Sequence, residues 1–219
     1  MSAKEQLLKD AKPIIFNTEM VKAILEGRKT QTRRVIKLKN NDLIFTGFIM
    51  SSTAKGREGC CSFGLNREQD LEYVKQQYKV GDVLWVRETF QTCGCDICEV
   101  CNALDGIVYK ADYNSKGEHP DLYTCLEDEM YWKPPIRMPK KYARIFLKVT
   151  NIRVERLQDI SILDAIKEGC PKEYFDGKTG TKEQVKDWWI NLWNSTAKDG
   201  YRWENNPYVF VYEFEKIGV

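Results

Sequence analysis

Residues 14–34, IIFNTEMVKAILEGRKTQTRR, constrain the chain most tightly, because an apolar strand and a short amphipathic helix lead straight into seven residues dense with charge. Met20, Val21, Ile24 and Leu25 share one helical face, Asn17 or Thr18 can cap the start, and Gly27 suits the left-handed residue past the end. The helix should therefore stop at Glu26 or Gly27. The run that follows, Arg28-Lys29-Thr30-Gln31-Thr32-Arg33-Arg34, holds four cations and two hydroxyls. It reads as too rich in donors for a core, so it should line a surface or a cleft, and its plain reading is a solvated basic turn.

Elsewhere short strands alternate with a few helices. VIKL (35–38) and DLIFTGFIM (42–50) read as strands joined by a turn at Asn40-Asn41, and the continuous apolar run VLWV (83–86) suits a strand buried on both faces. IVYKADY (107–113) has strand character, and ARIFLKVTNIRVERL (143–157) is one long strand or two joined by a bend at Asn151. Residues 67–79 read as a polar helix. Ser161 with Asp164 opens a short helix that Gly169 closes, and Thr181 with Gln184 opens one carrying Val185, Trp188, Trp189, Leu192 and Trp193 at helical spacing. Those tryptophans could form a base-stacking surface, but aromatic residues at core spacing are read as core, as is Trp85. Tyr208, Phe210, Tyr212 and Phe214 fall on one face of a final strand, read as a barrel interior. The expected class is α+β: one domain built on a small, partly open β-barrel decorated by short helices, with a Cys-rich insertion at 91–106 and a long loop at 114–139.

The net charge of +2, from 34 basic and 32 acidic residues, excludes nucleic-acid binding by bulk charge and leaves a local patch as the alternative. No apolar run approaches the roughly 20 residues of a membrane span. The opening MSAKEQLLKDAK has no secretory apolar core, so no membrane partner and a cytoplasmic location are expected. The eight cysteines then read as reduced thiols or metal ligands. Cys93, Cys95, Cys98 and Cys101 form C-x-C-x2-C-x2-C, four thiols that can close tetrahedrally around a structural zinc ion, with Cys60, Cys61 or Cys125 as alternative ligands. His119, the single histidine, is expected in solvent.

Residues 12–34, with Gly-Arg-Lys-Thr-x-Thr-x-Arg at 27–34, together with GDVLWVRETF (81–90), AIKEGC (165–170) and YVFVYEF (208–214), resemble an ASCH domain of the PUA-like superfamily. The chain is similar in particular to the larger phage- and prophage-borne members. That resemblance implies a PUA-like barrel that recognises RNA or a modified nucleoside. In family members that hydrolyse cytidine acetylated on its exocyclic amine, the motif supplies a lysine and a threonine, and a later helix supplies a glutamate. Carried over, these positions are Lys29, Thr32 and Glu168. A threonine hydroxyl needs a base, and a lysine serves as one if burial or cationic neighbours such as Arg28, Arg33 and Arg34 lower its pKa. Glu168 could orient the lysine or shuttle a proton, although it also favours the charged lysine. Arg34 matches the motif arginine and is the candidate for substrate or phosphate contact. Arg87 and Glu88 match the phage group as pocket residues, against the plain reading of an end-of-strand ion pair. The bland alternative for the main set is a salt-bridged turn in which Glu168 neutralises Lys29 and Thr32 caps the backbone. A non-catalytic RNA-binding module and a ribonuclease remain alternative functions.

Overall fold

The computed structural model describes residues 3–49, 56–92, 106–113, 132–175 and 180–218. In chain order the elements are α1 (Ala3–Asp10), β1 (Lys12–Ile15), α2 (Thr18–Leu25), β2 (Gln31–Val35), β3 (Ile44–Phe48), β4 (Cys60–Asn66), β5 (Gln69–Lys75), β6 (Val83–Arg87), β7 (Phe90–Thr92), β8 (Ile107–Tyr109), β9 (Phe146–Arg156), α3 (Ile162–Lys167), α4 (Lys182–Thr196) and β10 (Tyr208–Ile217). The class is mixed α+β, and no closed ring of strands occurs among the described residues. None of the described helices is long and apolar enough to cross a membrane. The chain divides into two compact units, Met1–Arg28 with Val83–Lys148 and Lys216–Val219, and Lys29–Asp82 with Val149–Glu215.

In the first unit β1 runs parallel to β6, with Ile14 opposite Val86, and β6 pairs antiparallel with the start of β9, with Trp85 opposite Phe146. Leu84, Trp85 and Val86 are all buried, as a strand covered on both faces requires. Trp85 joins Ala11, Ala143 and Phe146 in a core that Leu7 and Leu8 of α1 cover. The Asn17 side chain accepts a hydrogen bond from the Met20 N–H at 2.8 Å, and the helix leaves through Gly27 at φ +75°. Its buried residues are Val21, Ala23 and Ile24, while Leu25 is exposed. The strand expected at 107–113 shortens to β8, which pairs with β7, and a single 3-10 turn follows at Lys110–Asp112. Cys93, Cys95, Cys98, Cys101, His119 and Cys125 lie outside the described residues.

In the second unit the remainder of β9 neighbours β10, which pairs antiparallel with β2. The long strand expected at 143–157 is one continuous element. Helices α3 and α4 cover one face of this sheet, burying Leu157, Ala165, Cys170, Val185, Trp189 and Trp193 against Val209 and Val211. Trp189 and Trp193 are thus core. At roughly 150–250 Å² each and about 25 cal/mol per Å², each contributes roughly 4–6 kcal/mol of gross hydrophobic stabilisation. Phe210, Tyr212 and Phe214 are buried as well, so β10 has cover on both faces.

The same unit holds an antiparallel sheet, β3-β4-β5, in which β3 lies within the strand expected at 42–50 while β4 and β5 were not expected as strands; of the strand expected at 35–38 only Val35 is in a strand, as the end of β2. CCSFGLN forms β4, with Cys61 and Phe63 fully buried. Residues 69–75, expected to be helical, form β5 instead. Leu71, Val74 and Tyr78 do stand at helical spacing, but a turn at 67–68, with the Asn66 side chain accepting from the Glu68 N–H, aligns residues 69–75 against β4. Cys60, Cys61 and Cys170 are buried. Burial, helped by Cys60, pushes the Cys61 thiol up to about 12, which disfavours the thiolate that a metal requires. No cluster of three or more metal-ligating side chains occurs among the described residues.

Candidate active site

The basic run is mostly interior, contrary to its reading as a surface turn. Lys29 is 2% exposed, Gln31 0%, Thr32 1% and Arg33 3%. Burial of such groups is tolerated where each charge finds a partner, and the partners come from distant parts of the chain. Lys29 sits in an isolated antiparallel bridge with Glu168, reinforced by a hydrogen bond from the Thr30 N–H to the Lys167 carbonyl at 2.9 Å. On the other side the Phe214 N–H donates to the Thr30 carbonyl. Glu168 itself is the residue that ends α3, a helix started by the Ser161 side chain accepting from the Asp164 N–H, and Gly169 at φ +105° turns the chain away.

The Lys29 Nζ donates to Glu168 Oε2 at 2.7 Å and to the Glu168 carbonyl at 2.9 Å. Arg33 spans three carboxylates: Nη1 to Glu168 Oε1 at 2.9 Å, Nε and Nη2 to Glu155 Oε1, and Nη2 to Asp164 Oδ2 at 3.6 Å. Arg153 extends the network to Glu155 Oε2 and Asp164 Oδ1, each at 3.0 Å, and to Glu213. Beneath Arg33, the Trp189 ring lies 5.6 Å from the guanidinium carbon. Counting Arg34, four cations meet Glu155, Asp164, Glu168 and Glu213, so the cluster is formally neutral.

Strand alternation divides the work of β2. Arg33, opposite Val211, faces the helices, while Thr32 pairs with Tyr212 and Arg34 with Phe210 on the reverse face. There the Arg34 Nη1 donates to the Thr32 Oγ1 at 3.1 Å and to the Arg33 carbonyl at 3.2 Å. Tyr212 packs edge to face on Tyr78, ring centroids 5.1 Å apart. Burial pushes both hydroxyls up to about 12, so both stay neutral. Burial also lowers the Lys29 ammonium below its ordinary 10.5, with Arg34 and Arg33 pushing the same way and Glu168 opposing. Arg34 is likewise lowered by burial, against Tyr78, Glu168 and Tyr212. Arg34 therefore acts electrostatically on Lys29 and Glu168 while its guanidinium holds the Thr32 oxygen.

The structure thus joins Lys29, Arg33 and Glu168 by direct contacts, while Thr32 is held by Arg34 on the reverse face, from which Arg34 acts electrostatically on Lys29 and Glu168. Thr32 is a strand residue accepting from Arg34, not a backbone cap as the bland reading had it. Arg28, Arg87 and Glu88 belong to the other unit. Arg28 pairs with Glu26 at 2.6 Å. Arg87 and Glu88 do not pair with each other: Arg87 donates to the carbonyls of Pro135, at 3.1 Å, and Ile136. Glu88 instead takes a two-pronged contact from Arg144 at 2.9 and 2.8 Å, and Arg144 also reaches Asp112 at 2.8 Å and lies 3.8 Å above the Tyr109 ring. Burial raises the Glu88 carboxyl, and Arg144 pulls it back in part.

Sequence reading missed Arg153, Glu155, Asp164, Glu213, Tyr78 and Tyr212 as members of the site. One signal was present: Arg153 and Glu155 stand two apart on a strand, and Asp164 stands four before Glu168 on a helix, so each pair shares a face. Asp164 also sets an acid limit. Burial opposes ionisation, but Arg153, the Ser161 hydroxyl and Arg33 hold its carboxyl below the ordinary 3.8. Its stabilising contribution is present above that value and is lost as pH falls through the lower folded value. We expect Asp164→Asn to be less stable than the parent at neutral pH and to lose less stability on acidification, measured by urea unfolding between pH 7 and pH 3. Parallel curves for the two proteins would contradict that role.

No protein-family model, curated protein or solved structure matches this chain, so its functional reading rests on the site itself.

Proposed function

We propose that the chain is an ASCH-type protein of the PUA-like superfamily that hydrolyses the amide of an acylated cytidine, with Thr32 as nucleophile, Lys29 as base and Glu168 as the carboxylate that orients it. The observation that carries this reading is the convergence of a buried lysine of lowered pKa, a carboxylate 139 positions away and an arginine-bound threonine hydroxyl. Beyond a buried ion pair, the site supplies a hydroxyl held by Arg34, the group a nucleophilic role requires.

Neutral Lys29 takes the Thr32 Oγ proton as that oxygen attacks the acyl carbon, and the carbonyl oxygen becomes an oxyanion beside Arg34. The Lys29 ammonium so formed donates to Glu168 Oε2 and to the Glu168 carbonyl, which keep it aimed. Collapse of the intermediate breaks the C–N bond, and Lys29 returns its proton to the leaving exocyclic amine, releasing cytidine. Water, deprotonated in turn by Lys29, attacks the threonine ester. The products are the free carboxylic acid and regenerated Thr32.

The test is turnover of N4-acetylcytidine. Thr32→Ala should reduce kcat by a factor of about 10³ or more, as for loss of a nucleophile, while costing about 1 kcal/mol of stability for the buried hydrogen bond from Arg34 that it removes, a loss the urea midpoint reads separately. A well-folded parent without turnover would overturn the hydrolase reading in favour of an RNA-binding module. In that module Arg34→Ala would weaken binding of a short RNA and Thr32→Ala would not.

A further inference from the structure

On the reverse face of β2, Tyr212 stands directly opposite Thr32 in the ladder with β10, so the two side chains leave the sheet on the same side. Tyr212 is fully buried, and its hydroxyl oxygen has no hydrogen-bond partner among the described residues. The N–H groups of Gln77 and Tyr78 bear on that oxygen without completing a hydrogen bond, and as donors they leave its proton without an acceptor. A buried hydroxyl that makes no bond destabilises the fold and calls for a reason outside it. The ring is well used, packed edge to face on Tyr78, so a phenylalanine would serve the packing equally well. Arg34 connects the hydroxyl to the proposed nucleophile: its Nη1 donates to the Thr32 Oγ1 at 3.1 Å, and its guanidinium interacts electrostatically with the Tyr212 and Tyr78 oxygens.

We propose that Tyr212 is a further catalytic residue of this site: its hydroxyl donates to the acyl carbonyl oxygen of the substrate and, with Arg34, holds that oxygen as it becomes the oxyanion. The inference rests on the hydrolase reading above. Three features carry it. The proton of the hydroxyl is uncommitted, and with its pKa pushed up to about 12 the group is a neutral donor throughout the neutral range. Donor and nucleophile are cross-strand partners, whose Cβ atoms in such pairs lie about 4.5–5.5 Å apart, so a carbonyl carbon at the Thr32 oxygen has its own oxygen on the face that Tyr212 and Arg34 share. The site is also dry and the ring is fixed by Tyr78, the conditions under which a preoriented donor stabilises developing charge most. Tyr212 keeps its proton throughout, and Lys29 remains the group that takes and returns the one transferred.

The experiment is Tyr212→Phe, which keeps the ring and removes the oxygen alone. For N4-acetylcytidine kcat should fall about 10²–10³-fold, the effect of losing one oxyanion donor, with KM little changed. The urea midpoint should stay at the parent's value or rise, because no hydrogen bond within the fold is lost. Those two results together separate a catalytic hydroxyl from a structural one, whose removal lowers the midpoint. A variant that keeps the parent's kcat, or that loses kcat only together with its midpoint, would overturn the proposal. Calorimetry with N4-acetylcytidine and cytidine separates failure of this inference from failure of the hydrolase reading. In a parent that binds acetylcytidine without turnover, a preference over cytidine that Tyr212→Phe abolishes would uphold the hydroxyl as donor to the acyl carbonyl and refute only the hydrolysis. In that parent, a preference that survives the substitution, or no preference at all, would overturn the donor role as well.

Discussion

Lys29→Arg is expected to abolish hydrolysis of acetylcytidine while retaining the fold. A guanidinium keeps a positive charge and donors for Glu168, but it does not deprotonate in proteins and so cannot take the Thr32 proton. Loss of a positioned general base costs about 10²–10⁴-fold, and that is the predicted fall in kcat. Some overpacking is expected in a site this closed, about 1–3 kcal/mol. The parent's pH profile supplies the companion result. Burial lowers the Lys29 ammonium below 10.5, so kcat/KM should rise with pH through an apparent pKa below that value. The linked stability term has the same sign, because the unfolded chain binds the extra proton: Lys29 weakens the fold at lower pH and ceases to do so as pH climbs past 10.5. If Lys29→Arg turns over at the parent's rate, Lys29 is a structural cation and the base lies elsewhere.

Glu168→Ala should cost about 3–5 kcal/mol, the range for removing one partner of a buried ion pair. Against total stabilities of about 5–15 kcal/mol this is a large share. Glu168 is 2% exposed and binds two cations, Lys29 at 2.7 Å and Arg33 at 2.9 Å. Arg33 retains Glu155 and Asp164 after the substitution, whereas Lys29 loses its carboxylate and keeps only a carbonyl contact among its described hydrogen bonds to residue 168. The main penalty is therefore a desolvated ammonium. Denaturant unfolding should show a lowered midpoint with an unchanged slope, and adding Lys29→Met should recover part of the loss, since it removes the buried charge that the Glu168 carboxylate balanced. A cost below about 1 kcal/mol would mean that water screens the pair, as at an exposed site, and would remove the dry environment on which the Lys29 base depends.

The two experiments separate chemistry from architecture. Lys29→Arg changes what the group can do with a proton and largely spares the pairing, while Glu168→Ala breaks the pairing itself.

Local chemistry was legible without coordinates. The starts at Asn17, Ser161 and Thr181 depend on a side chain reaching a backbone N–H three residues away, so a few neighbouring residues determine them. Gly27 and Gly169, both at positive φ, end their helices for a reason internal to the residue. The apolar run at 83–86, the long strand through 146–156 and the tryptophans of the last helix follow from period and composition alone.

What the tertiary structure decided depends on partners far along the chain. Residues 69–75 are a strand because β4 offers them a ladder, which outweighs the helical spacing of Leu71, Val74 and Tyr78. The basic run is interior because Glu155, Asp164 and Glu168, more than 120 positions later, compensate charges that would otherwise have to remain in water. The positions proposed for nucleophile, base and carboxylate come from the motif at 27–34 and the helix end at 165–170, both read in the sequence. Their desolvation, and with it the lowered pKa of Lys29, exists in the folded protein alone, because a charge is taken out of water at tolerable cost when its counter-charge arrives with it.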